Sequence, residues 1–274
     1  MAADLHVHTN FSDGTDTPQR VLELAKAAGL STIALTDHDT TEALAVAAPL
    51  AAPLGIELIA GIEMSSSIGE VEVHVLGFFM DTAHEGLRRH LEEQQARRVE
   101  RVKEMVRRLN RQGLLITAEE VFALAGQGTV GRPHVARALL NRGAITTTAE
   151  AFDRYIGSAR HPAFVPGSPL PPARIIRLIR EAGGIPVLAH PIYLKDDTLI
   201  PPFVRQGLLG LEVYHSGHSP EHVRRYERMA QGLSLLMTGG SDYHGESKEG
   251  LPVGTVRLAD EHVDALRRWH TAHA

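Results

Sequence analysis

The chain has 274 residues, 43% apolar and 22% charged, with a formal net charge of −5 and no cysteine. That is enough for one large domain, or a domain with an insertion, around a sizeable core. It excludes disulfides and thiolate metal sites, and it argues against a protein that coats nucleic acid by charge alone. No run approaches the ~18 apolar residues of a membrane span. The opening MAADLHVH lacks a basic-then-apolar signal, so the cytoplasm is the expected compartment.

The elements alternate from the start. ADLHVH reads as a strand. DTPQRVLELAKAAG reads as a helix: Thr17 suits the N-cap, Pro18 the first turn and Gly29 the end, with Val21, Leu24, Ala25 and Ala28 on one face. LSTIALTDHD is a second strand. TTEALAVAAPLAAPLG is a helix broken near Pro49 or Pro53. IELIAGIEMSS and VEVHVLGFF are further strands. Strand, helix and strand in succession imply a parallel sheet with crossover helices. From about His84 to Gly113 the pattern becomes one long helix rich in arginine and glutamate. TAEEVFALAG and PHVARALLNRG are further helices. Residues 82–165 are therefore expected to form a helical insertion or lid. Residues 1–81 and 166–274 are expected to form one discontinuous domain on either side of it in sequence. Alternation resumes with PPARIIRLIREAGG, IPVLAHP, LLGLEVYH, SPEHVRRYERMAQGL and SLLMTGGSDYHG.

Histidine is the compositional outlier, with 16 in the chain. At the carboxyl ends of the expected strands stand His6, His8, Asp37, His38, Asp39, Glu63, His74, His190, His215, Asp242 and His244. Parallel barrels build their sites at that end. In a strand, residues two apart share a face, so His6 and His8 aim together. Imidazole and carboxylate are the usual ligands of zinc, iron and manganese. Acids so crowded raise each other's pKa unless cations neutralise them. A metal centre is the reading. His84, His90, His161, His262, His270 and His273 are read as packed or surface residues, and His218 and His222 join them.

Four motifs, DLHVHTNFSDG, ALTDHD, VLAHP and GGSDYHG, with GIE and EVHVLG between them, resemble the polymerase and histidinol phosphatase (PHP) phosphoesterases over residues 1–80 and 166–260. The resemblance implies an α/β fold, a distorted (β/α)7 barrel holding two or three divalent metals, with manganese expected and iron or zinc as alternatives. It implies that His6, His8, Glu63 and Asp242 hold one metal. Glu63 bridges to a second, completed by His74 and His190. Asp13, His38 and His244 hold a third. Some relatives carry histidine where this chain has Asp13, which shifts the preference from zinc towards manganese or iron. The implied nucleophile is a metal-bridging hydroxide. His215 stands outside the ligand set, as a substrate contact, a proton donor to the leaving group or a group that orients a ligand.

The helical insertion with GRPH, Gly131 to His134, resembles the branch that includes 3′,5′-nucleotide bisphosphate phosphatases and 5′–3′ exoribonucleases. Pro133 suits a helix start, which would put Arg132 and His134 beside an anion-binding N-terminus. Arg132 and His134 are thus expected to bind substrate, with Lys195 as a further phosphate contact. Arg97, Arg98 and Arg101 fit a solvated face of Glu/Arg pairs better than a nucleotide site. The expected activity is removal of the 3′-phosphate from nucleoside 3′,5′-bisphosphates. The alternatives are a 5′–3′ exoribonuclease on short RNA, a histidinol phosphate phosphatase and a non-catalytic nucleotide-binding module. The expected partner is a nucleotide or short RNA, with no membrane and no stable protein partner.

Overall fold

In the computed structural model, residues 2–247 and 250–273 are described. Strands β1 (Ala2–Val7) and β2 (Thr32–Leu35) are almost wholly buried, as strands covered on both faces must be. Helix α1 (Pro18–Ala27) joins them. Thr17 accepts from the Arg20 N–H, Pro18 opens the first turn, and Gly29 leaves it at φ +70°. The buried face of α1 is Pro18, Val21, Leu22 and Ala25, so Leu22 takes the place expected of Leu24. Helix α2 (Glu42–Ala51) keeps Pro49 inside it and tightens into a 3₁₀ turn, Ala52–Leu54, before β3 (Glu57–Ile68).

The β1–β2 and β2–β3 pairs are parallel, but β3 and β4 (Val71–Phe78) form an antiparallel hairpin. This corrects the all-parallel expectation. Gly69 and Glu70 are too few for a crossover, and Gly69 turns at φ +59°. Strand β4 also runs antiparallel to β5 (Ile185–Leu188), and parallel pairing returns through β6 (Gly210–His215) and β7 (Leu236–Gly240). A two-residue strand, β8 (Leu258–Ala259), lies antiparallel to β1. Beyond the other edge, Tyr243 bridges to Val7 in parallel, Asp242 N–H donates to His6 O at 2.8 Å and His8 N–H to Tyr243 O at 2.9 Å. The sheet thereby closes on itself as an α/β barrel.

Helices α3 (Glu85–Arg111), α4 (Ala118–Ala125), α5 (Arg132–Asn141) and α6 (Thr148–Ala151) follow β4, with one wide π-type turn at Phe152–Ile156. Their apolar faces share a core of their own, including Val102, Met105, Leu109, Val121, Val135, Leu139 and Ile156. At ~1.5 Å per residue α3 is about 40 Å long. Its early residue Leu87 packs into the barrel's core while Val102–Leu109 pack into the helical one. It is a strut between the two. Helices α7 (Pro172–Glu181), α8 (Ile200–Arg205) and α9 (Pro220–Gly232) cover the β3–β6 side, and α10 (Asp260–His273) packs Val263 and Leu266 beneath the barrel.

Candidate metal centre and the cleft beside it

The barrel mouth is built from strand ends. His6 lies on β1, and His8 just past it. Asp13 lies in the following loop. That loop is ordered by Asp37, which accepts from Thr9 N–H, Thr9 Oγ1 and Ser12 Oγ at 2.6–2.7 Å. His38 follows β2, Glu63 sits inside the long β3, and His190 and His215 end their segments. Because β4 is reversed, it presents His74 from its first half. Asp242 and His244 follow β7, where Gly240 is obligatory, since a Cβ there would lie 2.4 Å from the His6 backbone.

These side chains converge on Glu63. Its Oε2 lies 3.3 Å from His6 Nε2, 3.2 Å from His8 Nε2 and 3.1 Å from His38 Nδ1. Its Oε1 is hydrogen-bonded to His74 Nδ1 at 2.9 Å and His190 Nε2 at 2.8 Å. Asp242 Oδ1 stands 3.6 and 3.4 Å from His6 and His8 Nε2. Asp13 meets His244 Nε2 at 3.3 Å, and His8 and His38 at 3.8 Å. The structure thus brings together all nine residues expected as ligands. His6 Nε2, His8 Nε2 and His38 Nδ1 are buried and make no hydrogen bond. Ligand atoms ~2.1 Å from one cation stand roughly 3–3.5 Å apart. The donor set and its spacing fit divalent metals.

Three residues in or beside this nest lie in strained backbone. Asp39, His190 and Asp242 take φ of +51°, +26° and +54°, where residues other than glycine are rare.

The electrostatics point the same way. Burial alone would raise Glu63, Asp13 and Asp242, but the surrounding imidazoles hold all three well below the carboxylate range. Burial would likewise lower His6 and His8. The acids override it, pushing His6 well up and His8 up to about 10. Burial keeps His38 neutral, down to about 3. Ligation requires deprotonated imidazole, so metal binding at this nest would release protons.

Two residues outside the expected ligand set, Glu212 and His215, hydrogen-bond members of the nest. Glu212 is fully buried on β6. It binds His6 Nδ1 at 2.8 Å and accepts from the His190 N–H at 2.7 Å, turning His6 Nε2 inward. A register shift between Glu212 and Tyr214 lets Glu212 and His215 both enter the barrel, three residues apart. His215 Nδ1 accepts from the Gly217 N–H at 2.9 Å, so its proton is on Nε2, 3.2 Å from Asp242 Oδ2. It is buried behind Asp242 and does not line the cleft. It hydrogen-bonds a carboxylate of the nest.

Beside the nest opens a cleft of about 440 Å³, lined on one side by Asp13, His38 and His74 and on the other by Arg97, Arg98, Arg101 and Arg132, with Phe152. Arg98 grips Asp39 Oδ2 through Nε at 2.9 Å and Nη2 at 2.6 Å. Arg101 and Arg132 both bind Glu72. The expected solvated face of α3 is therefore divided. Glu104 pairs with Arg107 and Arg108 in the outward pattern, while Arg98 and Arg101 turn inward. Arg132, not Pro133, is the first residue of α5. His134 is buried, accepts from the Gly131 N–H at 3.1 Å, and is pushed down to about 4 by burial. It caps the helix and lies outside the cleft wall. Lys195 is exposed and also outside it.

Residues 4–160 match the family model of the PHP domain. The chain belongs to the PHP family. It is 33% identical to a 5′-3′ exoribonuclease of Haemophilus influenzae, over 93% of this chain and 92% of that one. It is equally identical to a 3′,5′-nucleoside bisphosphate phosphatase of Chromobacterium violaceum, over 92% and 90%. A solved structure described as a metal-dependent phosphoesterase of Bifidobacterium adolescentis superposes with a TM-score of 0.89, at 35% identity over 96% of this chain and 94% of that one. These likenesses support a PHP phosphoesterase that works with divalent metals.

Proposed function

We propose that this PHP protein is a phosphomonoesterase that removes the 3′-phosphate of nucleoside 3′,5′-bisphosphates, turning adenosine 3′,5′-bisphosphate into AMP and phosphate. The observation that carries this reading is the cleft, with metal-ligand side chains on one wall and arginines on the other. A substrate with two phosphates spans those two walls.

In this reading His6, His8, Asp13, His38, Glu63, His74, His190, Asp242 and His244 hold two or three cations. Manganese is the expected metal and iron or zinc the alternatives, all of which accept imidazole and carboxylate donors. Bound there, such cations supply Lewis acidity and an activated water at neutral pH. The chain's own part is position and charge, which phosphoryl transfer chiefly demands. Glu212 and His215 hold His6 and Asp242 in register. Arg132, anchored on the Gly157 carbonyl at 3.2 Å and lying over the Phe152 ring at 5.8 Å, binds the non-reacting phosphate. His134 serves by capping the helix that carries Arg132. The helical segment walls the cleft from water.

The cleft would also admit the phosphorylated end of a short RNA, and the likeness to the H. influenzae exoribonuclease favours keeping that reading. The test is to offer the metal-loaded protein adenosine 3′,5′-bisphosphate, histidinol phosphate and a short 5′-phosphorylated RNA, and to follow phosphate and mononucleotide release. The bisphosphate is expected to have the highest kcat/KM. Faster mononucleotide release from RNA would replace the phosphatase reading with the exonuclease one.

A further inference from the structure

Glu72 is a carboxylate placed where an anionic substrate would be expected. It stands on β4 two residues before His74, so the two side chains share a strand face and are separated by ~6.6 Å along it. Both line the cleft. Glu72 Oε1 accepts from Arg101 Nη2 at 2.9 Å, and its Oε2 from Arg132 Nη2. Two guanidiniums from two helices thus meet on one acid of the barrel hairpin.

Neither arginine depends on that acid for its place. Arg101 Nε donates to Val165 O at 2.9 Å, and Arg132 Nη1 to Gly157 O at 3.2 Å, with Phe152 beneath it. Removing the charge of Glu72 would therefore leave two held, unneutralised cations facing the cleft. One carboxylate over two guanidiniums leaves a single net positive charge and occupies the N–H groups best aimed at a phosphate.

We infer that Glu72 is a resident anion in the second-phosphate pocket, a specificity-determining residue that substrate must displace from Arg101 and Arg132. The inference rests on the bisphosphate reading above. It predicts that Glu72 weakens binding of bisphosphates and leaves single-phosphate ligands nearly untouched, because only the former contest the pocket. An acid that merely built the pocket would have the opposite effect.

The experiment uses the metal-loaded full chain and competition against hydrolysis of a simple aryl phosphate. Apparent inhibition constants are measured for adenosine 3′,5′-bisphosphate and for 3′-AMP, in the parent and in Glu72→Gln. The ratio of the two constants within each protein is the readout, which cancels general damage to the site. Partly buried ion pairs and charged hydrogen bonds justify a change in that ratio, in favour of the bisphosphate, of at least about fivefold. Glu72→Asp, which draws the carboxylate back, should move it the same way by less, and serves if the Gln variant folds poorly. Inorganic sulfate should raise the Tm of Glu72→Gln more than that of the parent. An unchanged or reversed ratio in a variant with a parent-like circular dichroism spectrum overturns the inference. If the bisphosphate inhibits without being hydrolysed, the assigned reaction fails while the ratio still decides the role of Glu72.

Discussion

The barrel mouth and the arginine wall are both dense with charge, yet they are unlike in kind. In the mouth, imidazole nitrogens and carboxylates crowd one another, and three buried ring nitrogens have no hydrogen bond. On the wall, Arg98, Arg101 and Arg132 are already matched to Asp39 and Glu72. One region asks for cations from outside. In the other, Arg98, Arg101 and Arg132 already hold acids of the protein and must exchange those partners to bind an anion. If the proposed function holds, chemistry and selectivity are lodged in separate parts of the chain, and the two can be broken separately.

The sharpest break is Glu63→Gln. Both oxygens of Glu63 meet histidines expected to be ligands, so metal content and activity should fall together, activity by ~1000-fold, given the several kcal/mol a metal supplies. Full metal occupancy with unchanged turnover would remove Glu63 from the centre.

The seam between the regions comes next. Burial would raise the Asp39 carboxyl, but Arg98 and the Ser65 N–H outweigh it and hold it below its ordinary 3.8. A depressed carboxyl stabilises the fold above the unfolded value, and that contribution is lost as pH falls through the folded one. Arg98→Ala should cost about 3 kcal/mol at neutral pH, as for a buried pair broken on one side. The gap from the parent should narrow below pH 3.8 in denaturant titrations. A pH-independent gap would mean that Arg98 acts by packing.

Glu212→Gln touches no expected metal directly. Loss of an orienting partner of a metal-ligating histidine costs ~10–100-fold in metal affinity. Metal titration of the purified variant checks this, and parent-like affinity would mean that His6 is oriented by the strand alone.

The smallest effect lies on the wall. Arg132→Ala should lower kcat/KM for adenosine 3′,5′-bisphosphate about 10-fold while sparing 3′-AMP, since one charged hydrogen bond is lost in the first case only. Equal losses on both substrates would make Arg132 a support of the fold.

The expected ligand residues were legible because strands alternate, so that His6 and His8 announce a shared face, and because the motifs recur at successive strand ends. Glu212 was not, although an acid inside LLGLEVYH is itself a signal. The bulge that brings it beside His215 breaks the two-residue period on which the reading relied. The reversal of β4 was signalled by the short link IGEV, and was overridden by the rhythm of the elements before it. Arg98 and Arg101 share a sequence texture with the outward pairs of α3. Only the docking of that helix separates those that face water from those that face the cleft. The positive φ of Asp39, His190 and Asp242 has no sequence mark, because none of the three is a glycine.

The closure of the ring has a consequence for how the protein is made. His6 and His8 lie at one end of the chain, Asp242 and His244 near the other, and they meet where Asp242 N–H reaches His6 O and His8 N–H reaches Tyr243 O. During synthesis from the N-terminal side, a product that stops short of His244 cannot offer the full set of expected donors. Metal bound by this set would therefore be captured late in synthesis, and it would fasten the seam most distant in sequence and so most expensive to close by chain entropy.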